Sequence, residues 1–78
     1  MSDTHANYLL DFGYLVREAA EEAKQQVASA AEDDRSFQQG RLMAYYEVVS
    51  PMQQQAVAFD LPLGDLRLDG IDPDRDLI

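Results

Sequence analysis

Two long helix-favouring stretches, joined by a short polar segment, constrain the fold of this chain most strongly. Residues 4–32 contain no proline and a single glycine, and they are rich in alanine, glutamate, glutamine, leucine and lysine, which favour helix. Apolar residues recur at steps of three or four, which places them on one helix face. They are Leu9, Phe12, Val16, Ala20, Ala23, Val27 and Ala30. The pattern predicts an amphipathic helix over about 4–32.

A second helix is predicted over about 37–60, after a turn at 33–36. The acidic and serine residues of the turn favour caps and loops. The helix ends before Pro62, because the residue that precedes a proline is pushed out of the helical region. The predicted contact stripe again steps by three or four. It consists of Phe37, Gly40, Ala44, Val48, Met52, Ala56 and Phe59.

Pro51 lies inside the second stretch, where it removes a backbone hydrogen bond and crowds the preceding turn. Ser50 and Pro51 also resemble the start of a new helix, with Ser50 as the cap. The apolar stripe, however, continues on both sides of Pro51. We therefore predict one helix with a kink near Pro51 rather than two separate helices.

A connection of about four residues makes two such helices antiparallel. Their contacts would grow from glycine and alanine beside the turn to aromatic residues at the open end, where the helices should splay apart. The last segment, 61–78, contains two prolines, two glycines and irregularly spaced leucines. We expect it to form an arm that folds back over the open end. The predicted fold is all-α: a single helical domain, 1–78, built on an antiparallel two-helix hairpin with a short irregular C-terminal segment.

The second helix is apolar on more than one side. If Ala44, Val48 and Met52 face the first helix, another apolar surface is left, and either the arm or a second chain must cover it. A chain of 78 residues without cysteine also has few means of stabilising a small core. We therefore predict a homodimer that forms a four-helix bundle. The predicted interface comprises Leu42, Tyr45, Tyr46 and Val49, with Phe37 and Met43 at its edges.

The charge of the chain disfavours two classes of partner. Fifteen acidic and six basic residues give a formal net charge of −9, which repels a phosphate backbone. The basic residues are scattered, so no cluster attracts an anionic membrane surface. No apolar run approaches the roughly 20 residues of a membrane span, and the N-terminus does not resemble a signal peptide. The sequence predicts no nucleic-acid partner, no membrane association and a cytoplasmic location.

The residue inventory also disfavours catalysis. The chain has no cysteine and one histidine, His5, so its serines lack the bases that a nucleophile arrangement requires. No Glu-x-x-His pair is present for a carboxylate-bridged metal site. Residues 72–76 resemble the opening of a calcium loop but are not followed by its glycine and glutamate. We predict no enzyme activity, no catalytic residue and no cofactor or metal.

Three functions stay open on this basis. The first is a non-enzymatic protein–protein interaction protein that acts as a homodimer. The second is an acidic inhibitor, similar to an immunity protein or antitoxin, that neutralises a basic target. The third is a small-ligand binder at the open end of the hairpin, lined by Tyr8, Leu9, Phe12, Phe59 and residues 61–68.

Overall fold

The computed structural model describes residues 2–78, and the long elements in them are two helices. Helix α1 spans Ser2–Ser29 and helix α2 spans Arg35–Ala58. The two helices pack against each other, and a 3-10 helix at Glu32–Asp34 lies in the short connection between them. The arm contains a second 3-10 helix, Leu63–Leu66, and a four-residue helix α3, Pro73–Asp76. The described residues contain no β-strand, which confirms the all-α prediction.

The connection lies earlier than the sequence pattern predicts. It occupies residues 30–34 rather than 33–36, and Ser36 lies inside α2. Pro51 also lies inside α2, which continues as one helix on both sides of it.

The C-terminal end of α2 fixes the direction of the arm. Asp60 adopts a left-handed backbone conformation, with a φ angle of 57°. Its N–H donates to the Val57 carbonyl at 3.1 Å, and the Leu61 N–H donates to the Ala56 carbonyl at 2.8 Å. These two bonds form a Schellman motif, which satisfies the last carbonyls of the helix and reverses the chain.

The arm begins at the open end of the hairpin and runs back toward the turn. Its 3-10 helix lies against Gly13 of α1, and its last residue reaches Lys24, whose ammonium group donates to the Ile78 carbonyl. Four of the nine buried hydrophobic residues belong to the arm. The nine are Ala20, Ala23, Leu42, Val49, Ala56, Leu66, Leu68, Ile71 and Leu77. The arm therefore completes the core of the hairpin along its length, and does more than close the open end.

The predicted contact face of α2 is correct at Met52 and Ala56 and wrong at Ala44 and Val48. Leu42, Val49 and Ala56 are its buried residues, whereas Ala44 is exposed and Val48 is 43% exposed. Helix α2 is thus rotated relative to the prediction. Leu42 and Val49, which were assigned to an outer interface, lie in the core, and part of the predicted contact stripe faces outward.

Candidate protein-interaction surface

One face of the hairpin carries large apolar side chains that nothing in the chain covers. Tyr8 and Phe59 are 66% and 70% exposed, and Phe12 and Leu15 are about half exposed. Val48 and Pro51 of α2 are also exposed. We call this surface the open face, and it comprises Tyr8, Phe12, Leu15, Val48, Pro51 and Phe59.

The open face is directed away from the arm. On α1, Arg17 donates hydrogen bonds to the arm, and Phe12 lies about 140° around the helix from it at 3.6 residues per turn. On α2, Gln53 binds the arm, and Val48 is again about 140° away. The arm from Arg67 onward therefore lies on a different side of the two-helix layer from the open face, whereas Leu61 and Leu66, at the start of the arm, border the open face.

At the open end, this surface forms a shallow groove of about 610 Å³. The rings of Tyr8 and Phe12 stack along one wall, with their centroids 5.9 Å apart and their planes 20° from parallel. No lining residue is charged. The groove is lined by Tyr8, Leu9, Phe12, Val48, Pro51, Met52, Gln55, Ala56, Phe59, Leu61 and Leu66.

The groove brings together the side chains that the sequence placed at the open end. Tyr8, Leu9, Phe12 and Phe59 all line it, together with Leu61 and Leu66. Their proximity is confirmed, whereas ligand binding stays a prediction.

The six residues predicted as an outer interface lie in two different places. Leu42 and Val49 are 4% and 0% exposed, so one chain alone buries them and they cannot form an outer surface. Tyr45 and Tyr46 are half-buried and pack against the same core. Phe37 and Met43 are exposed, at 67% and 45%. The sequence left two possible covers for these residues, the arm or a second chain. For Leu42 and Val49, the cover is the chain's own core.

Polar side chains of both helices hold the arm in place. The Arg17 guanidinium donates to the backbone carbonyls of Arg67 and Asp69, at 3.0 and 2.6 Å. The Gln53 amide donates to the carbonyls of Leu68 and Ile71, at 3.1 and 2.8 Å. Because these carbonyls belong to irregular backbone without a ladder of its own, the two side chains supply partners that the arm requires.

Two tyrosine hydroxyls donate to carboxylates. The Tyr46 hydroxyl binds Asp74 of the arm, and this hydrogen bond, with the negative charge of Asp74, raises the pKa of Tyr46 above its usual value. Tyr14 donates to Glu18 at 2.8 Å, and its pKa is raised for the same reason. A raised pKa means that the folded chain favours the neutral phenol, so the contribution of the Tyr46 bond is lost as the pH rises through the pKa of the folded state.

The basic side chains are largely used within the chain. Arg17 pairs with Glu21 at 3.1 Å, and Arg75 pairs with Asp76 at 2.7 Å. The Arg75 guanidinium and the backbone N–H of Asp72 hold the pKa of the Asp76 carboxyl well below its usual range. The Arg41 guanidinium lies 5.9 Å from the Tyr45 ring centre, where a cation–π contact forms. With 15 acidic residues in the chain, the outward field is dominated by carboxylates.

Among residues 2–78, no three histidine, aspartate or glutamate side chains come together as metal ligands. In the same part of the chain, neither long helix has a stretch that is both long and apolar enough to cross a membrane. Comparison with protein-family models, with curated proteins and with solved structures gives no match to this chain.

Proposed function

We propose that this chain is a non-enzymatic protein–protein interaction protein, and that the open face is its contact surface. The observation that carries the proposal is a continuous apolar groove whose lining contains no charged residue, in a chain where more than a quarter of the residues are charged. Depletion of charge and enrichment of aromatic residues distinguish the centres of protein interfaces from other surface. A cytoplasmic location stays a prediction from the sequence.

The size of the exposed patch supports the same function. If a whole aromatic side chain covers about 200 Å², Tyr8, Phe12 and Phe59 together leave on the order of 370 Å² exposed. The largest apolar patch on a typical monomer is about 300–600 Å². Leu9, Val48 and other groove residues add to these three, so the patch matches the size of the largest apolar patch of a typical monomer, which is often functional.

A small apolar ligand is the second candidate for the same groove. Its volume of about 610 Å³ lies within the range of roughly 300–1,000 Å³ that is typical of ligand sites. Two side chains in its lining carry polar groups that could orient a ligand, the Gln55 amide and the Tyr8 hydroxyl. A metabolite that raises the thermal midpoint of the wild-type chain but not of Phe12→Asp would support this function.

The interaction proposal is tested by photocrosslinking in the cell that makes the protein. A benzophenone amino acid is placed at Val48, on the open face, or at Val57, which is 68% exposed and lies about 180° away on the same helix. We expect protein adducts from position 48 and few from position 57. Each adduct, including one between two copies of this chain, is then identified by mass spectrometry.

Binding of each identified protein is measured with purified components. Val48→Asp should weaken it at least tenfold, because a carboxylate would be desolvated in the interface. Val57→Asp makes the same change on the opposite side of α2 and should leave the affinity unchanged. Absence of any adduct at position 48, or equal labelling at both positions, contradicts the proposed function.

A further inference from the structure

We infer that the occupant of the open face is a second copy of this chain, and that two hairpins pack face to face as a four-helix bundle. The inference rests on the proposed function and names the partner. The dimer differs from the one predicted from the sequence, because Leu42 and Val49 lie inside each chain and Tyr8, Phe12, Val48 and Phe59 would form the interface.

The accessible surface area of the chain is larger than that of a typical monomeric protein of the same mass. Monomeric proteins of 8.8 kDa have an accessible surface of about 4,800 Å², from the usual scaling of area with mass. This chain exposes 5370 Å², an excess of about 600 Å². Stable protein interfaces bury about 800 Å² on each partner, so the excess is of the size that one such contact removes.

The shape of the chain indicates a missing layer. A compact chain of 78 residues has a radius of gyration of about 11.5 Å, whereas the observed value is 13.8 Å. The chain measures 48 × 21 × 16 Å. Two helices side by side bury apolar surface on one side under the arm, and the other side has the length to receive a second hairpin.

The acidic residues of the arm do not prevent this contact, although Glu18 and Glu22 lie beside Leu15 at one edge of the open face. Six of the 15 acidic residues lie in the arm and the residues just before it, between Asp60 and Asp76. In a dimer formed through the open faces, the two arms lie on opposite outer sides, with two helix layers of about 10 Å each between them. That separation exceeds the Debye length of about 8 Å at physiological salt, so most of the repulsion between arms is screened.

The open face also suits a two-fold contact. In a symmetric dimer the same patch meets itself, so a charged centre would place like charges together. The groove is uncharged, and its aromatic side chains can stack or interlock with their own copies. A basic helix would find no carboxylate among the groove residues, which favours a second copy over a basic partner as the occupant.

The test is the mass of the purified chain in solution, measured by sedimentation equilibrium from about 1 to 500 μM. We expect twice the 8.8 kDa of one chain for the wild type and for Val57→Asp. Val48→Asp and Phe59→Asp should weaken association at least 100-fold while circular dichroism shows the helix content unchanged. Because Phe59 is 70% exposed, its substitution does not depend on how well the monomer tolerates change at Val48.

The salt dependence of association distinguishes a second copy of this chain from a basic protein. Association of two acidic chains should tighten as salt is raised from 0.05 to 0.5 M, whereas binding of a basic protein weakens. A wild-type chain that stays monomeric from 1 to about 500 μM contradicts the proposed dimer. A dimer that Val48→Asp and Phe59→Asp leave intact contradicts it as well. In either case, adducts with another protein at position 48 would preserve the proposed function.

Discussion

Gly13, a residue without a side chain, lies directly against the backbone of the arm. A Cβ atom added to Gly13 would lie 1.8 Å from the Leu66 carbonyl oxygen and 2.7 Å from its carbonyl carbon. Both are backbone atoms and cannot rotate away. Gly40 lies in the second turn of α2, and no atom outside its own stretch of helix is within 4 Å of such a Cβ. The two helical glycines therefore have opposite structural roles, although both interrupt helix-favouring sequence.

Alanine substitution should separate these roles. Gly40→Ala should raise the free energy of unfolding by about 1 kcal/mol, because alanine is the better helix former. Gly13→Ala gains the same propensity but must displace the arm, at a cost of about 1–3 kcal/mol for overpacking, so its net effect should be destabilising. Urea unfolding followed by circular dichroism measures both changes. A stabilising Gly13→Ala would contradict the close approach of Leu66.

At the scale of the elements, the sequence predicted both long helices but not the rotation of the second. Helix α2 carries two apolar stripes that share Met52 and Ala56. The predicted stripe runs through Ala44, Val48, Met52 and Ala56 in steps of four, which drift by about 40° at each step around a helix with 3.6 residues per turn. The observed core positions Leu42, Val49 and Ala56 are seven apart and stay within about 40° of one another. The spacing of seven, which keeps residues on one side of the helix, was therefore the better predictor of the buried face of α2.

The site was predictable to a similar degree. The aromatic residues Tyr8, Phe12 and Phe59 were predicted to lie together at the open end, because pairing the two helices outward from the turn places the bulkier side chains there. The exposure of Val48 was not predicted, because it depends on which side of α2 the arm covers. The path of the arm is set by long-range bonds such as those from Gln53 and Arg17, which leave no local pattern in the sequence.

The contribution of the arm to stability can be measured at Leu68. Its side chain is fully buried, and Leu68→Ala should lower the free energy of unfolding by about 2–5 kcal/mol. For a domain of this size that is a large share of the total, so the loss should be visible as a lower helix content or urea midpoint. Ile78→Ala removes an aliphatic side chain that is 60% exposed and should change stability by less than about 0.5 kcal/mol. Equal effects of the two changes would show that the arm is not part of the core.

At the scale of the whole molecule, the net negative charge lowers the stability of the folded chain. Nine uncompensated negative charges surround a core of nine buried hydrophobic residues, three of which are alanines. Only two ion pairs form within residues 2–78, and both are solvent-accessible, so they offset little of the repulsion. Folding brings the carboxylates closer together than they are in the unfolded chain, and the self-repulsion destabilises the compact state.

This balance predicts that salt stabilises the monomer itself, apart from any effect on association. The Val48→Asp variant, expected to be monomeric, isolates the effect. Between 0.01 and 0.15 M salt the Debye length falls from about 30 to about 8 Å, and the free energy of unfolding should rise by on the order of 1 kcal/mol. Urea, which carries no charge, is the appropriate denaturant.

Removing charge should reduce that dependence. Glu22 and Glu47 are exposed and lie on the two long helices, so replacing both with glutamine in the same variant lowers the repulsion without touching the arm. The slope of stability against salt should then be shallower than in the parent. If the free energy of unfolding instead falls as salt is raised, the Arg17–Glu21 and Arg75–Asp76 pairs outweigh the repulsion between carboxylates. The acidic surface would then not destabilise the fold.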